Sequence, residues 1–128
     1  MTDDPRLGMA ITHRRYVPHS HAHYGGSLVD GAYVLGLFGD AATDLGIHSD
    51  GDEGLFASYS DVQFVDAVRG GDVVEVTATI VRVGTRSRDV EFVARVLARA
   101  TPEVRASAAA PLNPPLVCTT AKGTVVVP

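Results

Sequence analysis

The sequence predicts an α+β fold in which one antiparallel sheet of about five strands wraps around a single long helix. Residues 27–46 have apolar side chains at helical spacing, and four later segments of strand character are joined by short turns. A further strand precedes the helix. Elements in this order bury their apolar faces as one sheet curled around one helix. A chain of 128 residues is long enough for one such core, so we expect residues 1–128 to form a single domain.

The predicted helix, residues 27–46, is apolar on most sides. Its apolar residues recur at helical spacing and also occupy the remaining faces, which favours a buried helix. Ser27 is the expected N-cap, with Asp30 three residues later in the position of a capping box, and Gly46 is the expected end. Three glycines lower the helix propensity, and we expect them to allow close approach of a sheet or a partner: Gly31, Gly36 and Gly39.

The strand pattern is clearest after the helix. The predicted strands are residues 9–17, 55–68, 73–83, 89–100 and 116–127, with a proline-rich link at 106–115. The alternation is strongest in the third strand, which places on one face Val74, Val76, Ala78 and Ile80. A single sheet around one helix leaves an edge strand and one sheet face uncovered. We therefore expect self-association, at least to a dimer.

Composition and charge narrow the classes of function. The formal net charge of −4 gives the chain no overall attraction to nucleic acid or to an anionic membrane surface. No apolar run reaches the roughly 20 residues of a membrane span, and the first residues lack the features of a secretory signal. We therefore expect a cytoplasmic protein without nucleic-acid or membrane partners. The single cysteine, Cys118, excludes an intrachain disulfide, and its surroundings predict a buried or half-buried thiol.

A histidine-rich segment lies directly before the predicted helix. Residues 19–26, HSHAHYGG, contain three of the five histidines of the chain. In an extended segment the spacing of two places His19, His21 and His23 on one face, where three imidazoles can bind zinc. No carboxylate or fourth ligand is evident beside them, so we do not predict a metal site. A structural role for His23, bonded to a loop carbonyl, is the other alternative.

Several short blocks of the sequence resemble one family. They are HYGG at 23–26, LVDGA at 28–32, LFGD at 37–40 and DGDEGLF at 50–56, extended by Ser87-Arg88 and Glu91-Phe92. Together these blocks, which lie within residues 17–94, resemble the aminoacyl-CoA ammonia lyases, a branch of the hot-dog fold superfamily. In that family we expect an acidic residue at the position of His21 and an asparagine at the position of Ser27. Both departures fall at the expected site.

The resemblance implies a hot-dog fold and a reversible elimination of ammonia from a 3-aminoacyl-CoA to give an enoyl-CoA. The thioester carbonyl needs an oxyanion donor, and the candidates are the backbone N–H groups of Gly25, Gly26 and Ser27 at the start of the helix. The proton next to the carbonyl needs a base, for which His23 and Glu53 are the candidates.

The leaving ammonia and the CoA group need further contacts. Asp30 or Glu53 can hold the substrate ammonium, and Tyr24 can orient either group or donate to the leaving nitrogen. His21, in place of an acid, weakens the attraction for an ammonium group. Basic residues are expected to meet the CoA phosphates, and the candidates are Arg82, Arg86, Arg88 and Lys122. CoA is part of the substrate, so we expect no separate cofactor and no metal.

The candidate residues also have other interpretations. Asp30 can serve only as a helix cap, and Glu53 and the arginines can be solvated charges. A hot-dog thioesterase, in which Asp30 or Glu53 activates water, is the main alternative activity. A further alternative is a non-catalytic module that binds an acyl-CoA or acyl-carrier thioester. Since hot-dog sites commonly lie between protomers, the resemblance implies a homodimer or a larger homo-oligomer such as a trimer of dimers, with Glu53 facing the HYGG segment of its partner.

Overall fold

The computed structural model describes residues 4–128 and has the α+β architecture that the sequence predicts. One long helix packs against a five-stranded antiparallel sheet, and three short strands form a second sheet. The elements are β1 (Ala10–Tyr16), β2 (Ala22–Tyr24), β3 (Leu28–Val29), α1 (Gly31–Asp50), β4 (Leu55–Phe64), β5 (Val68–Arg69), β6 (Val73–Val83), β7 (Ser87–Ala100) and β8 (Ala109–Val126). Among residues 4–128, no helix is long and apolar enough to cross a membrane.

The large sheet has the strand order β1-β6-β7-β8-β4, and every neighbouring pair is antiparallel. The helix covers one face of this sheet, where Phe38 stacks on Phe92 with ring centroids 4.9 Å apart. Cys118 is fully buried, as predicted. β6 has its predicted bounds, and the face predicted to be apolar is the buried one: Val74, Val76, Ala78 and Ile80. The core therefore lies between α1 and the sheet.

The helix begins and ends later than predicted. It starts at Gly31, with Asp30 as its N-cap, and ends at a C-cap, Gly51, in the left-handed region with φ 65°. The predicted capping box of Ser27 and Asp30 is wrong, because a turn and a short strand occupy residues 25–29. The whole helix is thus shifted towards the C-terminus by about one turn.

Gly46 lies inside the helix and does not end it. A Cβ at Gly46 would lie 2.9 Å from the backbone oxygen of Asp52, so the loop after the helix folds back onto α1 at this point. A Cβ at Gly36 or Gly39 would meet nothing within 4 Å in the chain. The glycine taken as a stop signal is therefore explained by close approach of the backbone.

Two strand predictions need correction. The link predicted at residues 106–115 is wrong, because β8 begins at Ala109 and pairs with β7 from there on. Among the described residues, this half of β8 pairs with β7 alone, since β4 pairs only with residues 119–126. A strand with one unpaired side tolerates prolines such as Pro111. The strand predicted at 55–68 divides into β4 and β5, which belong to different sheets.

The small sheet fixes the histidine-rich segment beside the helix. Its order is β2-β3-β5, with antiparallel pairs on both sides of β3. The Gly70 N–H donates to the carbonyl oxygen of Ser27 at 2.9 Å and extends the contact between β3 and β5. The HYGG segment is therefore held by pairing with a part of the chain that follows β4.

Candidate active site

The HYGG segment ends in a tight turn between β2 and β3. Gly26 has φ 73° and Ser27 has φ 62°, both in the left-handed region. Glycine adopts this conformation without the steric cost that a Cβ brings, whereas Ser27 carries that cost. β3 then leads directly to Asp30 and the start of α1. The turn explains the glycine at position 26 and places the segment close in sequence and space to the helix N-terminus.

Asp30 occupies the N-cap of α1, but its side chain makes no capping hydrogen bond. The residue is half-buried and lines a cavity of about 310 Å³ together with Tyr24, Phe64 and Thr119. The first backbone N–H groups of a helix, here beginning with Gly31, have no acceptor within the helix. These groups and the helix dipole favour negative charge at this end. The cavity therefore combines two carboxylates, those of Asp30 and Asp66, with a phenol and the positive end of a helix.

The expected oxyanion donors do not lie at the helix N-terminus. The helix begins at Gly31, four residues after Ser27, so the prediction for the N–H groups of Gly25, Gly26 and Ser27 as helix amides is wrong. All three residues are exposed in the turn. The N–H groups of the first helical turn replace them as candidates for stabilising a thioester oxyanion.

The histidine rings lie in separate environments. Residues 19–21 form a 3-10 turn, so the three histidines do not share one face of an extended strand, as the zinc alternative requires. His21 packs on Tyr33 with ring centroids 4.7 Å apart, and His23 packs edge-on against Tyr24 at 4.7 Å. Within residues 4–128, no group of three or more His, Cys, Asp or Glu side chains is placed to hold a metal ion. His23 remains beside the cavity through its contact with Tyr24.

Glu53 lies at the opposite end of α1 from Asp30. It is exposed in the loop after the helix, where the Gly54 N–H donates to the Asp52 carboxylate at 2.7 Å. A helix of 20 residues is about 30 Å long. Within one chain, therefore, Glu53 does not reach the cavity at Asp30.

Arg88 is a structural residue and not a free phosphate ligand. Its guanidinium and the Asp50 carboxylate form a two-pronged ion pair, with Nη2 2.8 Å from Oδ1 and Nε 3.1 Å from Oδ2, and both side chains are 7 % exposed. Its Nη1 donates to the carbonyl oxygens of Gly84 and Ser87. The Arg88 guanidinium holds the pKa of Asp50 well below its ordinary value. The prediction that Arg88 meets a CoA phosphate is therefore wrong, whereas Arg86 is exposed in the adjoining turn.

Among the residues that line the cavity, the sequence did not point to Phe64, Asp66 or Thr119. Phe64 is at the end of β4 and contacts Gly31, and a terminal aromatic residue facing a helical glycine is only a weak sequence signal. Thr119 is buried in β8, far along the chain from the helix, and no local pattern points to it. Phe64 and Thr119 reach the cavity because β4 pairs with β8, in which these two residues are partners.

Comparison with known proteins settles the family. The family model described as "Thioesterase superfamily" matches residues 26–102. The chain belongs to the thioesterase superfamily. Within that superfamily it is 49 % identical over 107 residues to a 3-aminobutyryl-CoA ammonia lyase of Acetoanaerobium sticklandii, which covers 84 % of this chain and 85 % of the relative. The resemblance to the aminoacyl-CoA ammonia lyases is thereby confirmed.

Solved structures of related proteins agree. The β-alanyl-CoA:ammonia lyase from Clostridium propionicum is 32 % identical with a TM-score of 0.89, over 94 % of this chain and 86 % of that chain. A hexameric hotdog fold thioesterase of Campylobacter jejuni is 18 % identical with a TM-score of 0.72, over 99 % of this chain and 86 % of that chain. The second likeness shows the fold alone. The hot-dog fold of this thioesterase-superfamily protein is confirmed.

Proposed function

We propose that this thioesterase-superfamily protein is an aminoacyl-CoA ammonia lyase. It removes ammonia from a 3-aminoacyl-CoA of the 3-aminobutyryl-CoA type and adds it back to the enoyl-CoA. The observation that supports this most strongly is the 49 % identity over 107 residues with the lyase of A. sticklandii. The C. propionicum relative is named for β-alanyl-CoA, whose amino group is likewise on the β-carbon.

The cavity at the start of α1 supplies two of the functions that the reaction needs. Removal of the α-proton builds negative charge on the thioester oxygen, and the helix N–H groups beginning at Gly31 stabilise that charge. Asp30 pairs with the substrate ammonium and thereby positions the β-carbon. Its carboxylate is available for this role because it makes no capping hydrogen bond to the helix. Tyr24 lines the same cavity, where its hydroxyl oxygen accepts a hydrogen bond from the same ammonium and orients it.

The base is Glu53 of the partner subunit in a homodimer. β4 is an edge strand of the large sheet, and Leu55 and Phe64 at its two ends are 63 % and 56 % exposed. Antiparallel pairing of two β4 edges about a twofold axis places the Leu55 end of one strand beside the Phe64 end of the other. Phe64 contacts Gly31, the residue after Asp30. Such a dimer brings the loop before one β4 to the cavity of the other chain.

The reaction balances with these groups. Glu53 of the partner subunit takes the α-proton, and the enolate forms. The bond from the β-carbon to nitrogen then breaks as the double bond between the α- and β-carbons forms. The substrate ammonium thus leaves as neutral ammonia. The proton on Glu53 then passes to ammonia or water. A carboxylate base carries a negative charge that attracts the substrate ammonium, whereas a neutral imidazole base carries none, which favours Glu53 over His23 as the base. His23 then orients Tyr24, which its ring contacts.

A mass-spectrometric assay of the purified chain with crotonyl-CoA and ammonium tests this function. Formation of 3-aminobutyryl-CoA is the expected result. Hydrolysis and hydration of the same thioester are measured in parallel. Release of free CoA as the main product contradicts the lyase and supports the thioesterase alternative, and absence of any turnover across a series of enoyl-CoA chain lengths contradicts both enzymes.

Light scattering tests the proposed assembly. A dimer, or a multiple of a dimer such as a trimer of dimers, is the expected particle because the proposed site needs two chains. A monomer at the concentration where the enzyme is active contradicts the role of Glu53 of the partner subunit.

A further inference from the structure

A cavity of about 430 Å³ lies beside the turn of the HYGG segment and has a different lining from the cavity at Asp30. Its walls include His19, Arg69, Arg99 and Ser107. Among the described residues that line it, none is Asp or Glu. A concave surface with guanidinium, imidazole and hydroxyl groups and no carboxylate favours an anion.

A buried carboxylate, which does not itself line the cavity, holds the two arginines of its wall. Asp72 is fully buried, and it accepts the backbone N–H of Arg69 at 2.8 Å and the guanidinium of Arg99 at 3.0 and 2.9 Å. Arg99 also donates to the carbonyl oxygen of Ala67 at 2.8 Å. Asp72 thus balances the charge of Arg99 and fixes the backbone of Arg69. The Arg69 side chain is exposed, and within residues 4–128 it has no ion-pair partner.

His19 is held beside Arg69 by a pair of glycines. A Cβ at Gly70 would lie 3.0 Å from the His19 Cα, and a Cβ at Gly71 would lie 2.8 Å from its Cε1. The imidazole therefore lies directly on the backbone of this turn. The Gly71 N–H donates to the Val17 carbonyl oxygen at 2.7 Å, which ties the turn to the chain just before His19. The wall formed by His19 and Arg69 is accordingly well defined.

Besides Arg88, two of the basic residues that the sequence offered for CoA have acidic neighbours. Arg82 is paired with Asp89 at 2.6 Å. Lys122 lies on the sheet beside Asp61 and Glu91. These carboxylates compete with a phosphate for the cation. The Arg69 guanidinium has no carboxylate partner among the residues that the structure describes.

We propose that Arg69, with His19 beside it, binds a phosphate group of the CoA portion of the substrate in this cavity, an inference that rests on the proposed function. Gly26 and Ser27 line this cavity, and Tyr24, just before the same turn, lines the cavity at Asp30. One turn of the chain therefore separates the two cavities. A CoA thioester that crosses the turn places its acyl group at Asp30 and a phosphate at Arg69.

Calorimetric binding of CoA to the full chain tests the proposal without turnover. The R69A variant is expected to raise the Kd for CoA about tenfold or more, the size expected from loss of a charge-assisted hydrogen bond. Pantetheine lacks the phosphates, so its binding should be equal in R69A and the unchanged chain. H19A should show the same selectivity to a smaller extent. R14A removes an exposed arginine that is paired with Glu75 on β6, and as a matched control it should leave CoA binding unchanged.

The outcomes separate this proposal from the proposed function. An unchanged Kd for CoA in R69A, or an equal loss for CoA and pantetheine, overturns the phosphate site. 3′-Dephospho-CoA then identifies the group: if R69A weakens it as much as CoA, Arg69 binds the diphosphate, and if R69A leaves it unchanged, Arg69 binds the 3′-phosphate. A chain that binds CoA through Arg69 but forms no 3-aminobutyryl-CoA retains the phosphate site and overturns the lyase function alone.

Discussion

The ring of Phe64 packs directly over Gly31, the first residue of the helix. A Cβ at Gly31 would lie 2.6 Å from the Phe64 Cζ, closer than two such atoms approach in proteins. The contact joins the end of β4 to the start of α1, and both residues line the cavity that contains Asp30. The missing side chain at position 31 therefore sets how closely the edge strand approaches the end of the helix.

The G31A variant should lose activity while still folding. The added methyl group displaces either the Phe64 ring or the first turn of α1, and displacements of this order cost about 10- to 100-fold in rate when they move groups that position a substrate. Steady-state kinetics with crotonyl-CoA and ammonium, beside thermal unfolding, measures the effect. The matched control is G36A, where a Cβ meets nothing within 4 Å. It should keep its activity and gain about 0.5–1 kcal/mol of stability from better helix propensity. Equal activity of G31A and the unchanged chain contradicts the role of this contact.

Mixed dimers test whether the site takes Asp30 and Glu53 from different chains. D30N and E53Q should each be nearly inactive alone. When the two are coexpressed, half of the dimers are mixed, and each mixed dimer has one site with both native carboxylates, so about a quarter of the full activity should return.

The control for this experiment is coexpression of D30N with E103Q, which changes an exposed glutamate in the β7–β8 hairpin. E103Q should be fully active alone. The mixture with D30N should have only the activity of those sites whose Asp30 comes from the E103Q chain. If D30N and E53Q show no gain on mixing, both carboxylates act within one chain or one of them does not act at all.

The sequence indicated the elements that depend on local patterns. The alternation in β6 has the predicted bounds and the predicted buried face, because a strand covered on one side has to alternate. The start of the helix was missed because Ser27 and Asp30 are both good N-cap residues, and only the pairing of β3 with β5, far along the chain, selects between them. Local chemistry does not distinguish the two.

The candidate site likewise contains residues that local sequence patterns indicate and residues that they do not. The HYGG block pointed to Tyr24, and the helix start pointed to Asp30, and the two do share one cavity. The burial of Arg88 was missed because its partner, Asp50, lies 38 residues earlier in the chain and beyond the expected end of the helix at Gly46. Arg69 was missed because the proposed phosphate site takes its two side chains, those of His19 and Arg69, from separate elements, which leaves no pattern in the sequence.

The buried pair of Arg88 and Asp50 should be important for stability. R88A leaves the Asp50 carboxylate in a largely buried position with Arg6 and Ser49 as its remaining partners, and breaking a buried pair in this way costs about 3 kcal/mol or more. The measurement is the free energy of unfolding in urea. R82A removes one partner of an exposed pair and serves as the control, with little change expected. A small effect of R88A shows that Arg6 and Ser49 are sufficient for Asp50.

Stability should fall in acid because of the same carboxylate. The pKa of Asp50 is lowered from its ordinary value of 3.8 by the hydrogen bond from Arg88. The contribution of Asp50 is therefore complete above about pH 4 and is lost as the pH falls from there towards the lower pKa of the folded state. Unfolding free energies at pH 6 and pH 3 measure this loss, which D50N should reduce. An equal dependence on pH in D50N and the unchanged chain shows that other carboxylates dominate the acid response.

The thiol of Cys118 should be protected in the folded protein. It is fully buried in β8, its Sγ lies 3.3 Å from the carbonyl oxygen of Ala94, and burial raises its pKa. A disulfide reagent at pH 8 needs an exposed thiolate, so reaction requires opening of the central strands and should be at least about a hundredfold slower than in the urea-unfolded chain. The T85C variant adds a thiol in the exposed β6–β7 turn, and that thiol should react at the unfolded-chain rate. If Cys118 reacts as fast as the added thiol, β8 opens far more readily than its pairing with both β4 and β7 implies.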